Sequence, residues 1–158
     1  MSVQRTLLDR RVIQWSVILY ISLLMPMSLL HEAGHALVCS SEGFGYRLWL
    51  DGTGGHTLCS GIPADSTAYG TIGGAFGVLA SVAIIAFWAF ARRHMAILAV
   101  GLAYAIDQAA KMFLEGFFTG AYASGLLDLP LTALQVVSWI GITLYLARRS
   151  VAVAIARG

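Results

Sequence analysis

Four long apolar stretches decide what this chain can fold into. They cover about residues 12–39, 71–91, 95–118 and 131–147, and each approaches or exceeds the roughly 20 residues that a helix needs to cross a bilayer. In lipid every backbone amide must find its partner inside the protein, which leaves helices or a closed barrel. Stretches of this length are helical. The expected fold class is all-α integral membrane, with four transmembrane helices in a single membrane domain, residues 1–158. A Gly-rich insertion follows the first span, residues 43–70, where Asp51-Gly52 and Gly54-Gly55 are turn signals. Residues 46–50 and 56–59 are expected to pair as a small β-hairpin. Only 11% of the 158 residues are charged, against about 25% in a soluble domain. That excludes a soluble enzyme and a disordered tail. A net charge of +2 gives no reason to expect nucleic acid as a partner; the bilayer is the expected surroundings.

The basic residues set an orientation. Arg5, Arg10 and Arg11 precede the first span, Arg92 and Arg93 separate the second from the third, and Arg148, Arg149 and Arg157 follow the fourth. Only Arg47 lies in the connection after the first span. The positive-inside rule then predicts a multi-pass protein of the cell membrane with both termini in the cytoplasm. The N-terminus begins like a signal peptide, but no small-residue cleavage site ends the apolar run, so the first span is expected to be retained. Cys39 and Cys59 both fall on the non-cytoplasmic side. There is no Cys-x-x-Cys, and the reading favoured is two free thiols in apolar surroundings.

The residues that carry chemistry are His31-Glu32-Ala33-Gly34-His35, at the end of the first span. On a helix, positions i and i+4 share a face, so two imidazoles one turn apart can hold one Zn²⁺, with Glu32 placed as general base. Zinc lowers the pKa of water to about 7 and polarises a carbonyl as a Lewis acid. Three ionisable side chains in little more than one turn at membrane depth mark a functional site rather than packing.

Leu30-His31-Glu32-Ala33-Gly34-His35-Ala36-Leu37 in an apolar helix resembles the site-2 protease family of intramembrane zinc metallopeptidases. Gly73-Gly74-Ala75-Phe76-Gly77 in the second span is similar to the small-residue motif with which that family packs its second core helix on the zinc helix. Independently, Gly73 and Gly77 form a G-x-x-x-G face that lets helices approach closely. The resemblance covers about the first three spans. It implies cleavage of a peptide bond in or beside a transmembrane segment of a membrane-protein or peptide substrate. It also implies a third zinc ligand, usually an Asp in Leu-Asp-Gly on the third core helix. Here Leu50-Asp51-Gly52 carries those letters but follows the zinc helix directly, where it reads as a turn.

The third ligand is therefore open among Glu115, Asp128, Asp107 and, last, Asp51. His31 lies 20 residues from Arg11, Glu115 22 from Arg93, and Asp128 20 from Arg148, whereas Asp107 is only 14 from Arg93. At 1.5 Å per helical residue, Asp107 falls roughly 9–15 Å short of the histidines, while Glu115 and Asp128 are level with them; Pro26 is expected to bend the first helix. Asp107, Lys111 and Glu115 share one face, and an Asp107–Lys111 ion pair would account for Asp107. Asp128-Leu129-Pro130 reads as a helix start. Glu115 is the expected third ligand beside His31 and His35, with Asp128 and Asp107 as alternates. Elsewhere, His56 reads as a solvated loop residue, His94 and Tyr122 as interfacial, and Trp15, Trp49, Trp88 and Trp139 as belt or packing residues.

The function expected is an intramembrane zinc metalloprotease. Its substrate must unwind, because helical carbonyls are already hydrogen-bonded, and an edge at residues 46–50 could hold the unwound segment by strand addition. The alternatives are a non-catalytic protease-like scaffold or a metal-binding or transport protein, the latter needing ligands strung through the bilayer.

Overall fold

The computed structural model describes residues 8–52, 54–91 and 94–156. Arg5, Arg92, Arg93 and Arg157, used above for orientation, lie outside the described residues. The order is α1 (Arg10–Ser41), β1 (Tyr46–Asp51), β2 (Gly54–Cys59), α2 (Ser66–Phe90), α3 (Met95–Phe117), α4 (Thr119–Ala123) and α5 (Asp128–Ala156). Helices α1, α2, α3 and α5 are each long and apolar enough to cross a membrane. Their outward faces are apolar too: Ile21, Phe90, Phe113 and Val137 are more than half exposed, the surface expected of a chain that meets lipid.

Local chemistry sets the helix ends. Asp9 caps α1 by accepting from the Arg11 amide at 3.0 Å, and Asp65 caps α2 by accepting from Thr67 and Ala68, both at 2.9 Å. That cap starts α2 five residues before its apolar stretch begins. His94, read from sequence as interfacial, caps α3 through its ring. Helix α1 runs unbroken through Pro26 and stops at Gly43, whose φ of +80° reverses the chain at no steric cost. Helix α4 had no apolar run to announce it. Asp128 is the first residue of α5, where a carboxylate meets the positive end of the helix dipole.

Helix α3 is central and packs on α1, α2 and α5. At the end remote from the hairpin, Tyr20 of α1 stacks between Tyr104 of α3 and Trp139 of α5, with ring centroids 5.1 and 4.4 Å away. The Tyr104 hydroxyl donates to the Tyr20 carbonyl at 2.7 Å. The Trp139 indole donates to Ser16, whose hydroxyl also meets that of Thr143. Trp139 is thus a packing residue, while Trp15 faces outward. At the same end the Asp9 amide donates to the Ala147 carbonyl, and Ser150 donates to the Asp9 carboxylate. Arg10, Arg11, Arg148 and Arg149 therefore gather at one end of the bundle.

At the opposite end sits the hairpin. Strands β1 and β2 are antiparallel, with Tyr46 opposite Cys59 and Asp51 opposite Gly54. Cys39 of α1 and Cys59 of β2 form a disulfide across a Cα–Cα distance of 5.6 Å, which corrects the expectation of free thiols. Their spacing of 20 residues carries no pairing signal by itself. It is the hairpin, folding β2 back along α1, that brings them together.

Helix α2 approaches its neighbours through glycines. A Cβ on Gly34 of α1 would lie 2.7 Å from the Ile72 carbonyl oxygen, and one on Gly74 would lie 2.5 Å from the Met112 backbone of α3. Such overlaps cannot be relieved by a rotamer change. We expect Gly74→Ala to destabilise the fold by about 1–3 kcal/mol. Gly141→Ala on α5, where an added Cβ meets nothing within 4 Å, should be neutral or stabilising by up to about 1 kcal/mol. Thermal unfolding of the two variants in one detergent checks the contrast.

Candidate metal centre

Helix periodicity brings His31 and His35 to one face of α1, and the glycine contacts bring α3 close enough for Glu115 to reach them. The Nε2 atoms of the two histidines are 3.2 Å apart. The Glu115 carboxylate lies 3.1 Å from Nε2 of His31 and 3.2 Å from Nε2 of His35. All three side chains are buried, at 4–7% exposure.

The other ring nitrogens settle what faces the centre. His35 Nδ1 donates to the Tyr69 carbonyl at 2.8 Å. His31 Nδ1 meets the Gln108 side-chain oxygen at 2.9 Å, and a carbonyl oxygen can only accept. Each imidazole thus carries a proton on Nδ1 and, when neutral, turns a lone pair inward from Nε2. Two such lone pairs and a carboxylate converge on one point, an arrangement that repels itself unless a proton or a metal cation sits between. The spacing suits one such cation closely. Four tetrahedral ligands at the 2.0–2.1 Å typical of zinc–nitrogen and zinc–oxygen bonds lie about 3.3 Å from one another. Glu115 Oε1, buried and with no hydrogen-bond donor assigned among the described residues, faces His31 Nε2 at 3.1 Å.

Gly73 of α2 closes the centre from behind. A Cβ there would lie 2.9 Å from His31 Nε2 and closer still to His35 Nε2, in the space a metal would use. On the other side the centre meets a cavity of about 440 Å³ between α1, α3, α5 and the tip of the hairpin. His31, Glu32, Gln108, Lys111, Tyr122 and Asp128 are among its walls.

Glu32 faces this cavity and lies within 4.8 Å of both imidazoles, ligand atom to ligand atom. The hairpin holds it there. Thr57 donates to the Glu32 carbonyl at 2.9 Å, and a Cβ on Gly55 would stand 2.6 Å from Glu32 Cγ. Strand β2 therefore lies directly against the acid.

The other acids named from sequence are placed elsewhere. Asp107 pairs with Lys111 at 3.1 Å and accepts from Gln108 at 3.0 Å; it lies eight residues, about 12 Å, along α3 from Glu115. Asp128 is exposed at the cavity mouth, at the start of α5. Asp51 ends β1, 3.1 Å from His56, so Leu50-Asp51-Gly52 runs from the strand into the hairpin turn. His56 also stacks on Trp49 and is not a bare loop histidine.

Sequence reasoning missed Gln108, the Tyr69 carbonyl and the placement of Tyr122. Gln108 had a signal: it stands seven residues before Glu115, on the same face of α3. The Tyr69 carbonyl had none, because a backbone acceptor leaves no mark in composition. Tyr122, on α4, is half-buried beside Glu115. Burial, and then the charges of Glu115, Glu32 and Asp128, push its phenol above the ordinary 10.

Comparison with models of known families, with curated proteins and with solved structures finds no match.

A phenol whose pKa is raised by folding contributes stability that is complete below its unfolded pKa of about 10 and fades as pH climbs toward the folded value. Tyr122→Phe should therefore lose less stability than the parent between about pH 10 and 12. Thermal midpoints measured across that range check it; parallel curves would show that Tyr122 ionises normally.

Proposed function

We propose that this chain is a multi-pass membrane protein that holds one zinc ion on His31, His35 and Glu115 and hydrolyses a peptide bond in or beside a transmembrane segment of its substrate. The activity is the one implied by its resemblance to the site-2 proteases. One observation carries the metal reading: two Nε2 lone pairs and a carboxylate stand 3.1–3.2 Å apart while both Nδ1 protons are committed to carbonyl oxygens.

Zinc in this centre would supply an acidified water and a Lewis acid for the scissile carbonyl. The protein's own part falls to Glu32. Its carboxylate is close enough to take a proton from the attacking water and deliver it to the leaving amine, so that water adds across the C–N bond and a carboxylate and an amine depart. Gly55 and Thr57 fix the Glu32 backbone and side-chain stem, and the cavity gives an unwound segment room beside it. The Tyr122 phenol, kept neutral by its surroundings, is a hydrogen-bond donor at the cavity wall. Strand β1 pairs only with β2 among the described residues, so its outer edge offers the unwound segment a strand to join.

Two observations support placing the centre on the oxidising side of the membrane. The Cys39–Cys59 disulfide lies at the hairpin end, and structural disulfides persist in oxidising compartments. The described arginines of α1 and α5 gather at the far end, which the positive-inside rule assigns to the cytoplasm. A metal-transport role is less well served: Asp107, the one acid deeper than the histidines, is already engaged by Lys111 and Gln108.

The first measurement is zinc per chain in zinc-replete, detergent-purified protein. We expect one zinc in the parent and its loss in His35→Ala, Glu115→Ala and Gly73→Ala. Glu32→Gln should keep zinc and lose about 10²–10⁴-fold in cleavage of a membrane-segment substrate. A zinc-free parent would sink the metal reading. Zinc retention with full cleavage by Glu32→Gln would sink the role given to Glu32, and a zinc-bearing parent that cleaves no such substrate would leave the scaffold reading. Proline placed in residues 46–50 should depress cleavage if β1 holds the substrate, and unchanged cleavage would count against strand addition.

A further inference from the structure

We infer that Asp107 and Lys111 are positioning residues: together they fix which way round the Gln108 amide lies, and thereby which nitrogen of His31 faces the metal centre. The inference rests on the metal reading above for its consequence, but not for its geometry.

The geometry is a chain of contacts along two turns of α3. Lys111 Nζ reaches Asp107 Oδ2 at 3.1 Å. The same oxygen accepts from Gln108 Nε2 at 3.0 Å. The other side of that amide, Gln108 Oε1, meets His31 Nδ1 at 2.9 Å. A side-chain amide has a donor end and an acceptor end of almost equal size, so its shape does not choose between two orientations 180° apart. A carboxylate does choose, because it only accepts. With Asp107 taking the NH₂ end, the oxygen end must face His31. That oxygen in turn requires a proton on Nδ1 and leaves the lone pair on Nε2, toward His35 and Glu115. With the amide reversed, an N–H would face Nδ1. The imidazole proton would then move to Nε2, and the ring would no longer be a ligand.

Two further features hold the arrangement. Gln108 is 2% exposed and Asp107 1%, so both contacts are screened from bulk water. Helix α2 backs the amide at Gly77, where an added Cβ would overlap the Gln108 side chain. An isolated carboxylate at this depth would be prohibitive. Lys111, whose side chain is 26% exposed toward the cavity, supplies the compensating charge from the wet side. The ion pair thus has a task beyond neutralising itself, and it explains three polar residues on α3 whose contact with the proposed ligand residues is confined to His31 Nδ1.

The test exchanges the two roles. Gln108→Glu puts a second carboxylate against Asp107, and Asp107→Asn gives Gln108 a neighbour that no longer dictates its orientation. Asp107→Asn should weaken zinc binding by about 10–100-fold, the usual cost of disturbing an outer partner of a ligating histidine; Gln108→Glu keeps an acceptor against His31 but sets two carboxylates together, and their repulsion should weaken binding by a similar factor. The double variant Asp107→Asn, Gln108→Glu places an acceptor-only carboxylate against His31 and an amide behind it, with the total charge kept. It should recover most of the lost affinity, measured by chelator competition on the full chain. Single variants that bind zinc like the parent, or a double variant no better than the singles, would overturn the inference. A second readout needs no metal. In ¹⁵N-histidine-labelled, metal-free protein at alkaline pH, the parent should show a slowly exchanging proton on His31 Nδ1, and Gln108→Leu should not. Absence of that proton from the parent would overturn the inference. Its presence in a parent that binds no zinc would uphold the positioning while ending the metal reading.

Discussion

The close approach of α2 to both α1 and α3 is the constraint on which the rest depends. No side chain intervenes at Gly34, Gly73 or Gly74, and each contact is backbone against backbone or backbone against ligand. Helix packing in an apolar medium gains little from the hydrophobic effect, so close van der Waals fit has to supply it. The same fit has a chemical result. Because Gly73 has no side chain, the two histidine rings can turn toward Glu115. Because Gly77 has none, Gln108 can stand upright behind His31. Packing and site are consequences of one stripe of small residues.

The two ends of the bundle differ in what holds them. Away from the hairpin, aromatic stacking of Tyr20 between Tyr104 and Trp139 fastens α1, α3 and α5 with apolar area and a few hydroxyl contacts. At the hairpin end the same three helices stand around a cavity, and polar groups take over. There the disulfide and the Thr57 contact tie β2 to α1. A packed far end and a hollow near end are what the proposed metal centre would need to admit a large substrate.

The four apolar helices and the hairpin were legible because both write themselves in local sequence: long apolar runs in one case, Asp-Gly and Gly-Gly turns in the other. The i, i+4 spacing of His31 and His35 was legible for the same reason, and counting residues from the flanking arginines was enough to place Glu115, and not Asp107, level with them. What escaped was everything decided by approach between elements. Cys39 and Cys59 pair only because β2 returns along α1. Gln108 becomes significant only once α3 lies beside His31. The Tyr69 carbonyl and the short helix bearing Tyr122 follow from chain direction at helix ends, which composition does not record.

Helix α3 carries Asp107, Lys111 and Glu115 in a segment that is the least apolar of the four candidate spans, whereas α2, its predecessor, is the most apolar. On the scale that governs insertion, a charged residue at mid-span costs about 2.5–3.5 kcal/mol. A solitary α3 would therefore partition poorly into lipid during synthesis. Joined to α2 through Gly70, Gly74 and Gly77, which press against Glu115, Met112 and Gln108, it can enter as half of a helical pair in which part of that polarity is already covered. The glycines that make room for the centre would then also act as an escort, carrying the chemistry-bearing helix across a step it could not take unaccompanied.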